Sequence, residues 1–329
     1  MATVVSIMPG SLVSGDDLAV RARRARPLPQ PAAVHVAGRS RGAVSAVARV
    51  RTVTTSASSP AAVLRRAVTS DPGRPRVTVY DDTDSPTRGE RIELSARVLA
   101  NWVAKAANLL QDDLDVGPGS VVVLDLPPHW RTLYWALAVW SVGGCVELPS
   151  HHTTDSHPRR DAVLSHPPAH SGAGRTGHAA RTGDADPSRS FDDRKVLVTD
   201  DPTAAAHTDR AVLVTLAALA RSAPVPVPPG VVDEARELAT HGDVFDPWDE
   251  PADDDPALRA GGADTAYGEI VPGDGTADRV HTASTDTAAF IRLALGALTG
   301  DGSVVLTRGE PGAKALQARL ASEGVTSTA

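Results

Sequence analysis

Three polar residues lie close together near the carboxyl end of the chain: His281, Ser284 and Asp286. Their side-chain types are those of a hydrolytic triad, in which serine attacks, histidine moves the proton and aspartate orients the ring. Ser284 is not flanked by the glycines of the Gly-x-Ser-x-Gly turn that presents such a serine. Ser284 or Asp286 can instead cap a helix that begins at Thr287, because their oxygens accept hydrogen bonds from unpaired backbone N–H groups. The pattern therefore favours a helix cap, and the sequence predicts no catalytic residue.

Acidic runs and histidines provide the candidate metal ligands. Aspartates cluster at residues 81–84 and 253–255, but magnesium usually takes one or two carboxylates together with substrate phosphates. Six of the eleven histidines lie within residues 150–193: His151, His152, His157, His166, His170 and His178. Their spacings are irregular, no cysteine accompanies them, and Pro, Ser, Gly and Arg fill the gaps. The sequence therefore predicts no metal site and a disordered His/Pro/Gly-rich insertion over residues 150–193. Residues 170–177 are glycine-rich like a phosphate loop, but no predicted strand leads into them.

The overall composition is that of a globular protein. The chain has 329 residues, of which 41% are hydrophobic, and a net charge of −7, which does not favour nucleic-acid binding. The only cysteine, Cys145, lies in an apolar run and is expected to be a buried thiol rather than a nucleophile. A single cysteine also fits a reducing compartment, so we expect a cytoplasmic protein. No apolar stretch reaches the roughly 20 residues that a membrane span needs.

Residues 1–57 differ from the rest of the chain. They contain eight arginines against two aspartates and no aromatic residue. Such a segment is compatible with an organelle transit peptide, a tail for anionic surfaces or an unstructured extension. The arginines follow no sustained helical period, which favours a disordered basic extension.

Residues 90–149 show the clearest periodicity and predict a helix, a strand, a second helix and a second strand. Apolar residues at intervals of three and four predict the first helix, with Ser95 as its N-cap: Leu94, Val98, Leu99, Trp102, Val103, Ala106, Leu109 and Leu110. A near-continuous apolar run at 121–126 predicts a strand covered on both faces. The aromatic-rich run 130–142 predicts the second helix, ended by Gly143 and Gly144, and residues 145–148 the second strand. Two strands joined by a helix predict a parallel crossover.

The remaining sequence predicts further alternation of helices and strands. We expect helices at 61–69, 231–241, 287–298 and 311–322, strands at 76–81, 194–202, 303–307 and from 324, an apolar helix or strand at 211–220, and loops over 243–275.

Several short segments in this region resemble the opening of the adenylate-forming superfamily, which comprises acyl-CoA synthetases, adenylation domains of peptide synthetases and luciferases. They are Ile92-Glu-Leu-Ser95, Asn108-Leu-Leu110, Val116-Gly-Pro-Gly119 and Gly143-Gly-Cys-Val-Glu-Leu-Pro149. The chain is similar to a truncated N-terminal subdomain of that family, of the short stand-alone kind found in high-GC bacteria. The resemblance implies an α/β fold with a mostly parallel, doubly wound sheet and helices on both faces. It places the first part of this domain at residues 58–149 and the remainder at 194–329.

The resemblance also implies where a nucleotide would bind. In the family, a Ser/Thr/Gly-rich loop ending in lysine holds the phosphates of ATP, with magnesium, and an aspartate holds the ribose. The nearest analogue of that loop here, residues 259–265, has Asp264 and no lysine. The candidate nucleotide-binding residues are accordingly Gly261, Gly262, Thr265, Ser284 and Thr285, and the candidate cofactors are ATP or AMP with magnesium.

Three hypotheses follow from this resemblance and from the missing lysine. The first is a degenerate member that binds a nucleotide, an acyl group or a protein partner without completing adenylation. The second is an active acid-thiol (acyl-CoA) ligase or adenylation subunit, completed by another chain. The third is a non-catalytic structural or interaction module.

Overall fold

Helix α3 (Trp130–Ser141) lies at the centre of the fold, and its first eleven residues are all buried. A helix that is apolar on every side must be covered on every side. It packs against strands β4 (Val121–Asp125) and β5 (Cys145–Glu147) on one side, and against helices and strand β2 (Pro75–Asp81) on the other. The predicted second helix is thus confirmed as a central, fully covered element.

The computed structural model describes residues 3–6, 59–149 and 195–329. The predicted insertion at 150–193 lies outside the described residues, as does the predicted basic extension except for strand β1 (Thr3–Ser6). Strand β1 pairs in parallel with strand β3 (Glu90–Ser95).

Two sheets flank the central helices. From edge to edge, the seven-stranded sheet consists of β10 (Ala263–Ala266), β9 (Pro256–Ala260), β5, β4, β6 (Lys195–Thr199), β7 (Ala211–Leu213) and β8 (Val231–Asp233). The six-stranded sheet consists of β1, β3, β2, β12 (Ser303–Arg308), β11 (Arg279–Thr282) and β13 (Ser327–Thr328). Neighbouring strands are parallel except for the pairs β9/β10 and β2/β3. The prediction of a mostly parallel α/β fold is confirmed, with the strands divided between two sheets.

The other helices have the following bounds: α1 (Pro60–Ser70), α2 (Ala96–Asn108), α4 (Pro202–Ala205), α5 (Glu234–Glu237), α6 (Tyr267–Ile270), α7 (Thr287–Thr299) and α8 (Ala313–Ser322). Residues Leu109–Asp113 continue α2 as a π-helical turn, and Leu238–Thr240 form a 3₁₀ turn. Two predicted N-caps are confirmed. The Ser95 hydroxyl accepts from the Val98 N–H at 3.4 Å, and the Asp286 carboxylate accepts from Ala288 at 2.8 Å and Ala289 at 3.1 Å.

Some predicted elements were wrong. Leu94 belongs to strand β3, because helix α2 begins only after its cap. The predicted helix at 231–241 begins as strand β8, because the β-branched pair Val231 and Val232 aligns with β7 and extends the sheet. The predicted loops at 243–275 contain the hairpin β9/β10 and helix α6, since β9 gains its stability by pairing with β5. Helix α8 begins at Ala313 rather than 311, and the last strand starts at Ser327 rather than 324.

The central position of α3 leads to a prediction about stability. Replacing Trp135, which is fully buried, with alanine should lower the free energy of unfolding by about 3–5 kcal/mol because it leaves a cavity between the two sheets. The same substitution at Trp248, which is 67% exposed, should change it by less than about 0.5 kcal/mol. Urea denaturation followed by circular dichroism measures both, and equal losses would contradict this account of the core.

Candidate functional site

The carboxyl ends of the strands in the two sheets face the same region, where parallel α/β sheets place their ligands. The Thr287 hydroxyl, at the start of α7, donates to the Leu126 carbonyl after β4 at 3.0 Å. The Ala218 N–H, in the segment after β7, donates to Glu90 at the start of β3 at 3.4 Å. These contacts join the two sheets at what we call the strand-end junction. Its titratable side chains are Asp81, Glu90, Asp125, His129, Asp200 and Arg308.

His129 is the most deeply buried titratable group of the junction that is not paired with a charge, with 2% of its surface exposed. It is the N-cap of α3, and its Nδ1 atom accepts from the Arg131 N–H at 3.4 Å. Burial lowers the pKa of His129 well below its ordinary value, and the positive charges of Arg308 and Arg131 lower it further. The ring is therefore neutral at pH 7, and an accepting Nδ1 leaves the proton on Nε2 as a donor.

Arg308 supplies the guanidinium of the junction, and Asp81 neutralises it. The Arg308 Nη1 and Asp81 Oδ2 atoms are 2.6 Å apart, and both side chains are largely buried. Asp81 is further held by the Thr87 hydroxyl at 2.5 Å and the Thr83 N–H at 2.9 Å. The second arginine nearby, Arg131, is paired with Glu234 at 2.6 Å. Each guanidinium thus has a carboxylate partner inside the fold.

The other carboxylates of the junction have no cationic partner among the described ion pairs. Asp200 is exposed to solvent, yet burial and then the charge of Asp125 raise its pKa. Burial also raises the pKa of Glu90, and nearby Asp81 adds to that effect. The junction therefore has an excess of negative charge, which disfavours anionic ligands.

The glycine loop suggested by the sequence is a tight turn. Gly261 and Gly262 have φ angles of +59° and +79° and form the two-residue connection of the β9/β10 hairpin. Arg259 lies 3.3 Å from Asp264 and 3.8 Å from Glu147, so its charge is neutralised within the hairpin region. The candidate residue Thr265 lies in β10, on the strand that leads away from the turn.

The other candidates, Ser284 and Thr285, lie in the connection between β11 and α7. The Ser284 hydroxyl accepts from the Asp286 N–H at 3.1 Å and donates to the Asp286 carbonyl at 3.3 Å, as in a local capping turn. His281 is buried in β11, and its Nε2 atom lies 3.1 Å from the Thr307 hydroxyl. No hydrogen bond among the described residues joins these groups to the Gly261 turn. The structure thus separates the five sequence candidates into two places.

Cys145 behaves as expected from its sequence context. It is buried, and burial raises the pKa of its thiol to about 11. A thiol protonated at neutral pH is a poor nucleophile. The prediction of a buried structural thiol is confirmed.

Sequence reasoning missed the junction residues His129, Asp200 and Arg308. A usable signal was present, because strands were predicted at 121–126, 194–202 and 303–307, and each of the three residues ends one of the corresponding observed strands or follows it within four residues. Within the part of the chain that the structure describes, no three His, Cys, Asp or Glu side chains are grouped as metal ligands. In the same residues, no helix is long and apolar enough to cross a membrane.

The buried neutral His129 generates a prediction about pH. The unfolded chain binds a proton near pH 6.5 and the folded chain does not, so stability should fall as the pH drops below that value towards the lowered folded pKa. His129→Asn keeps an N-cap acceptor and removes this titration. As the pH falls from about 7 to about 5, the free energy of unfolding should therefore decrease less in the variant than in the native protein. The two slopes should differ by up to about 1.4 kcal/mol per pH unit.

Urea unfolding at a series of pH values measures the two slopes. Burial also lowers the pKa of His281, with a further contribution from Arg319, but this group is present in both proteins and cancels in the comparison. Identical slopes would show that His129 does not remain neutral in the folded state.

Comparison with solved structures shows which known proteins have a similar fold. An acyl-CoA synthetase from Brucella canis superposes with a TM-score of 0.55 over 82% of this chain, at 15% identity, and this chain covers 46% of it. An artificially fused adenylation–PCP di-domain from Klebsiella oxytoca has a TM-score of 0.47 at 17% identity, and this chain covers 43% of it. The predicted resemblance to adenylate-forming enzymes is confirmed for the fold, and this chain spans less than half the length of either protein.

Comparison with sequences identifies the family. No protein-family model matches the chain. A protein of Mycobacterium tuberculosis described as a TIGR03089 family protein is 32% identical over 280 residues, which are 83% of this chain and 99% of that protein. This identity extends over nearly the whole of the relative, and the chain therefore belongs to the TIGR03089 family.

Proposed function

We propose that this chain is a degenerate member of the adenylate-forming fold, which binds a nucleotide or an acyl group at the strand-end junction without completing adenylation. The observation that carries the proposal is the β9/β10 turn. Only Gly261 and Gly262 connect the two strands, and the flanking Arg259 is paired with Asp264. A turn of this length and charge does not wrap a chain of phosphates.

The chemistry of adenylation explains why this matters. A carboxylate attacks the α-phosphate of ATP and pyrophosphate leaves, so the negative charge of three phosphates has to be stabilised throughout. Losing one preorganised donor costs on the order of 10²- to 10³-fold in rate. Arg308 is paired with Asp81, so the guanidinium of the junction supplies no free positive charge to stabilise the phosphates of ATP.

The junction is better suited to a ligand with little negative charge. The Nε2–H of His129 offers a buried donor to a carbonyl or hydroxyl oxygen, and the Asp200 carboxylate accepts from hydroxyl or amine groups. A nucleoside, a nucleoside monophosphate or an acyl group presents such atoms. The fold likeness to an acyl-CoA synthetase supports this class of ligand, although it does not identify the compound.

An exchange assay tests the absence of adenylation. The purified chain, incubated with ATP, magnesium, labelled pyrophosphate and a panel of carboxylic acids, should form no labelled ATP above the rate of the buffer. The physical reason is that Arg259, the cation next to the β9/β10 turn, is already paired with Asp264 and Glu147. Robust exchange by the chain alone would refute the proposal and favour an active ligase.

Thermal shift measurements test the binding site. A ligand present at about 100 times its dissociation constant adds about 2.7 kcal/mol to the stability of the folded state. AMP and carboxylic acids are the compounds to screen, with ATP and CoA, which carry more negative charge, as the disfavoured ligands. Asp200→Asn removes one negative charge from the junction, so it should increase the shift produced by AMP.

The matched control is Glu269→Gln, which removes an exposed carboxylate on α6. It should leave the AMP shift unchanged. No shift with any compound would favour a non-catalytic interaction module, and an equal effect of both variants would place the ligand outside the junction.

A further inference from the structure

Residues 241–250, which we call the strap, run along the carboxyl end of helix α2 and are fastened to it by side chains. Lys105 donates to the His241 carbonyl at 2.5 Å. The Asn108 amide donates to the Gly242 carbonyl at 3.1 Å and to the Val244 carbonyl at 3.0 Å. Lys105 and Asn108 are three residues apart on the helix, so they hold the first half of the strap against one helix face.

The π-helical turn Leu109–Asp113 holds the second half of the strap. Gln111, in this turn, is 5% exposed. Its amide donates to the Asp246 carbonyl at 3.3 Å, and its carbonyl accepts from the Trp248 N–H at 3.0 Å. One buried side chain thus fixes the strap backbone at two points, and π-helical turns frequently occur at functional sites.

This fixed backbone presents large apolar side chains to solvent. Val244 is 82% exposed and Trp248 67% exposed, while Phe245 between them packs against the core. The four other tryptophans of the chain are buried or partly buried. Because the strap is anchored at several points, the exposure of Val244 and Trp248 is a property of an ordered surface.

The surroundings of these two side chains are acidic. The strap contains four exposed carboxylates and no lysine or arginine: Asp243, Asp246, Asp249 and Glu250. Exposed Asp112 and Asp113 of the π-helical turn lie beside it, and His241 contacts Asp113 at 3.3 Å. Lys105 is paired with Asp243 at 2.9 Å. An excess of carboxylates in the same segment as an exposed tryptophan is complementary to cations.

We propose that the strap is a docking surface for a basic segment of another protein, in which arginine or lysine alternates with aliphatic side chains. The guanidinium of such a segment contacts the indole face of Trp248 and the surrounding carboxylates, and an aliphatic side chain packs against Val244. Tryptophan at the centre of a polar rim is the arrangement typical of an interaction hot spot. Phosphate-bearing surfaces are disfavoured by the same carboxylates.

A fluorescence titration tests this surface. The probe is a labelled synthetic peptide of repeated Arg-Ala-Leu units, added to the full chain at low and at high salt. Two matched peptides replace either every arginine by glutamate or every leucine by serine. We expect binding of the first peptide, no binding of the glutamate peptide and weaker binding of the serine peptide. The proposal would be overturned if the Arg-Ala-Leu peptide did not bind, or if the peptide with serine in place of leucine bound equally well.

Variants locate the binding. Trp248→Ser and Val244→Ser should each weaken binding, the former by at least about tenfold. Leu219→Ser is the matched control, because Leu219 is 69% exposed but lies outside the strap. Circular dichroism and thermal unfolding check that each variant folds as the native chain does.

If Leu219→Ser weakened peptide binding as much as Trp248→Ser, the result would contradict a binding site at the strap. Self-association of the chain that Trp248→Ser abolishes, seen by sedimentation in the absence of peptide, would instead identify a second copy as the occupant and overturn the choice of partner. The AMP shift of the strap variants should match that of the native chain, so this proposal and the proposed ligand site can fail separately.

Discussion

The burial of helix α3 on all sides is the constraint on which the rest of the structure depends. Its residues from Trp130 to Trp140 are apolar almost throughout, and removing them from water is favourable only if a second layer covers the face that the first sheet leaves open. The two sheets, with α1, α2 and α7 between them, provide that cover. One consequence is that Arg131, on the same helix, is buried as well and has to be paired with Glu234 from α5.

The same packing explains the electrostatics of the strand-end junction. Arginines that enter the fold are each matched by a carboxylate: Arg76 by Asp301 at 2.6 Å, Arg131 by Glu234 at 2.6 Å and Arg308 by Asp81 at 2.6 Å. These charges stabilise the folded chain and are not free to hold a ligand. Asp125 and Asp200 remain without such a partner among the described ion pairs. The junction is therefore acidic although several arginines enter the fold, because the location of the charges decides the local field.

Local signals made much of the fold predictable. The period of helix α2, the aromatic run of α3 and the caps Ser95 and Asp286 are each encoded within a few neighbouring residues, and the structure agrees with them. Strand β8 and the β9/β10 hairpin were missed because their backbones are stabilised by partners far away in the sequence. Short strands have weak intrinsic preferences, so tertiary pairing decides them.

The candidate site was less predictable for a related reason. His129 and Arg308 are separated by more than half of the chain, and only the meeting of two sheets brings Arg308 near enough for its charge to lower the pKa of His129. Residues 259–265, the nearest analogue of the family's phosphate loop in the sequence, form a short turn whose arginine is paired with Asp264. A rule based on strand ends would have selected His129 and Asp200 without any motif, because the carboxyl ends of parallel strands share one edge.

Helix α2 links the strap to the core. Trp102 of this helix stacks on Tyr134 with the ring centroids 5.7 Å apart, and Tyr134 donates to the buried Glu234. Lys105 of the same helix and Gln111 of the π-helical turn that follows it hold the strap. The strap is therefore anchored to a helix that is itself fixed by the core, and the exposed Trp248 does not depend on a mobile loop for its position. A rigid, solvent-exposed indole loses little conformational entropy when a partner covers it, so more of the contact energy remains available for binding.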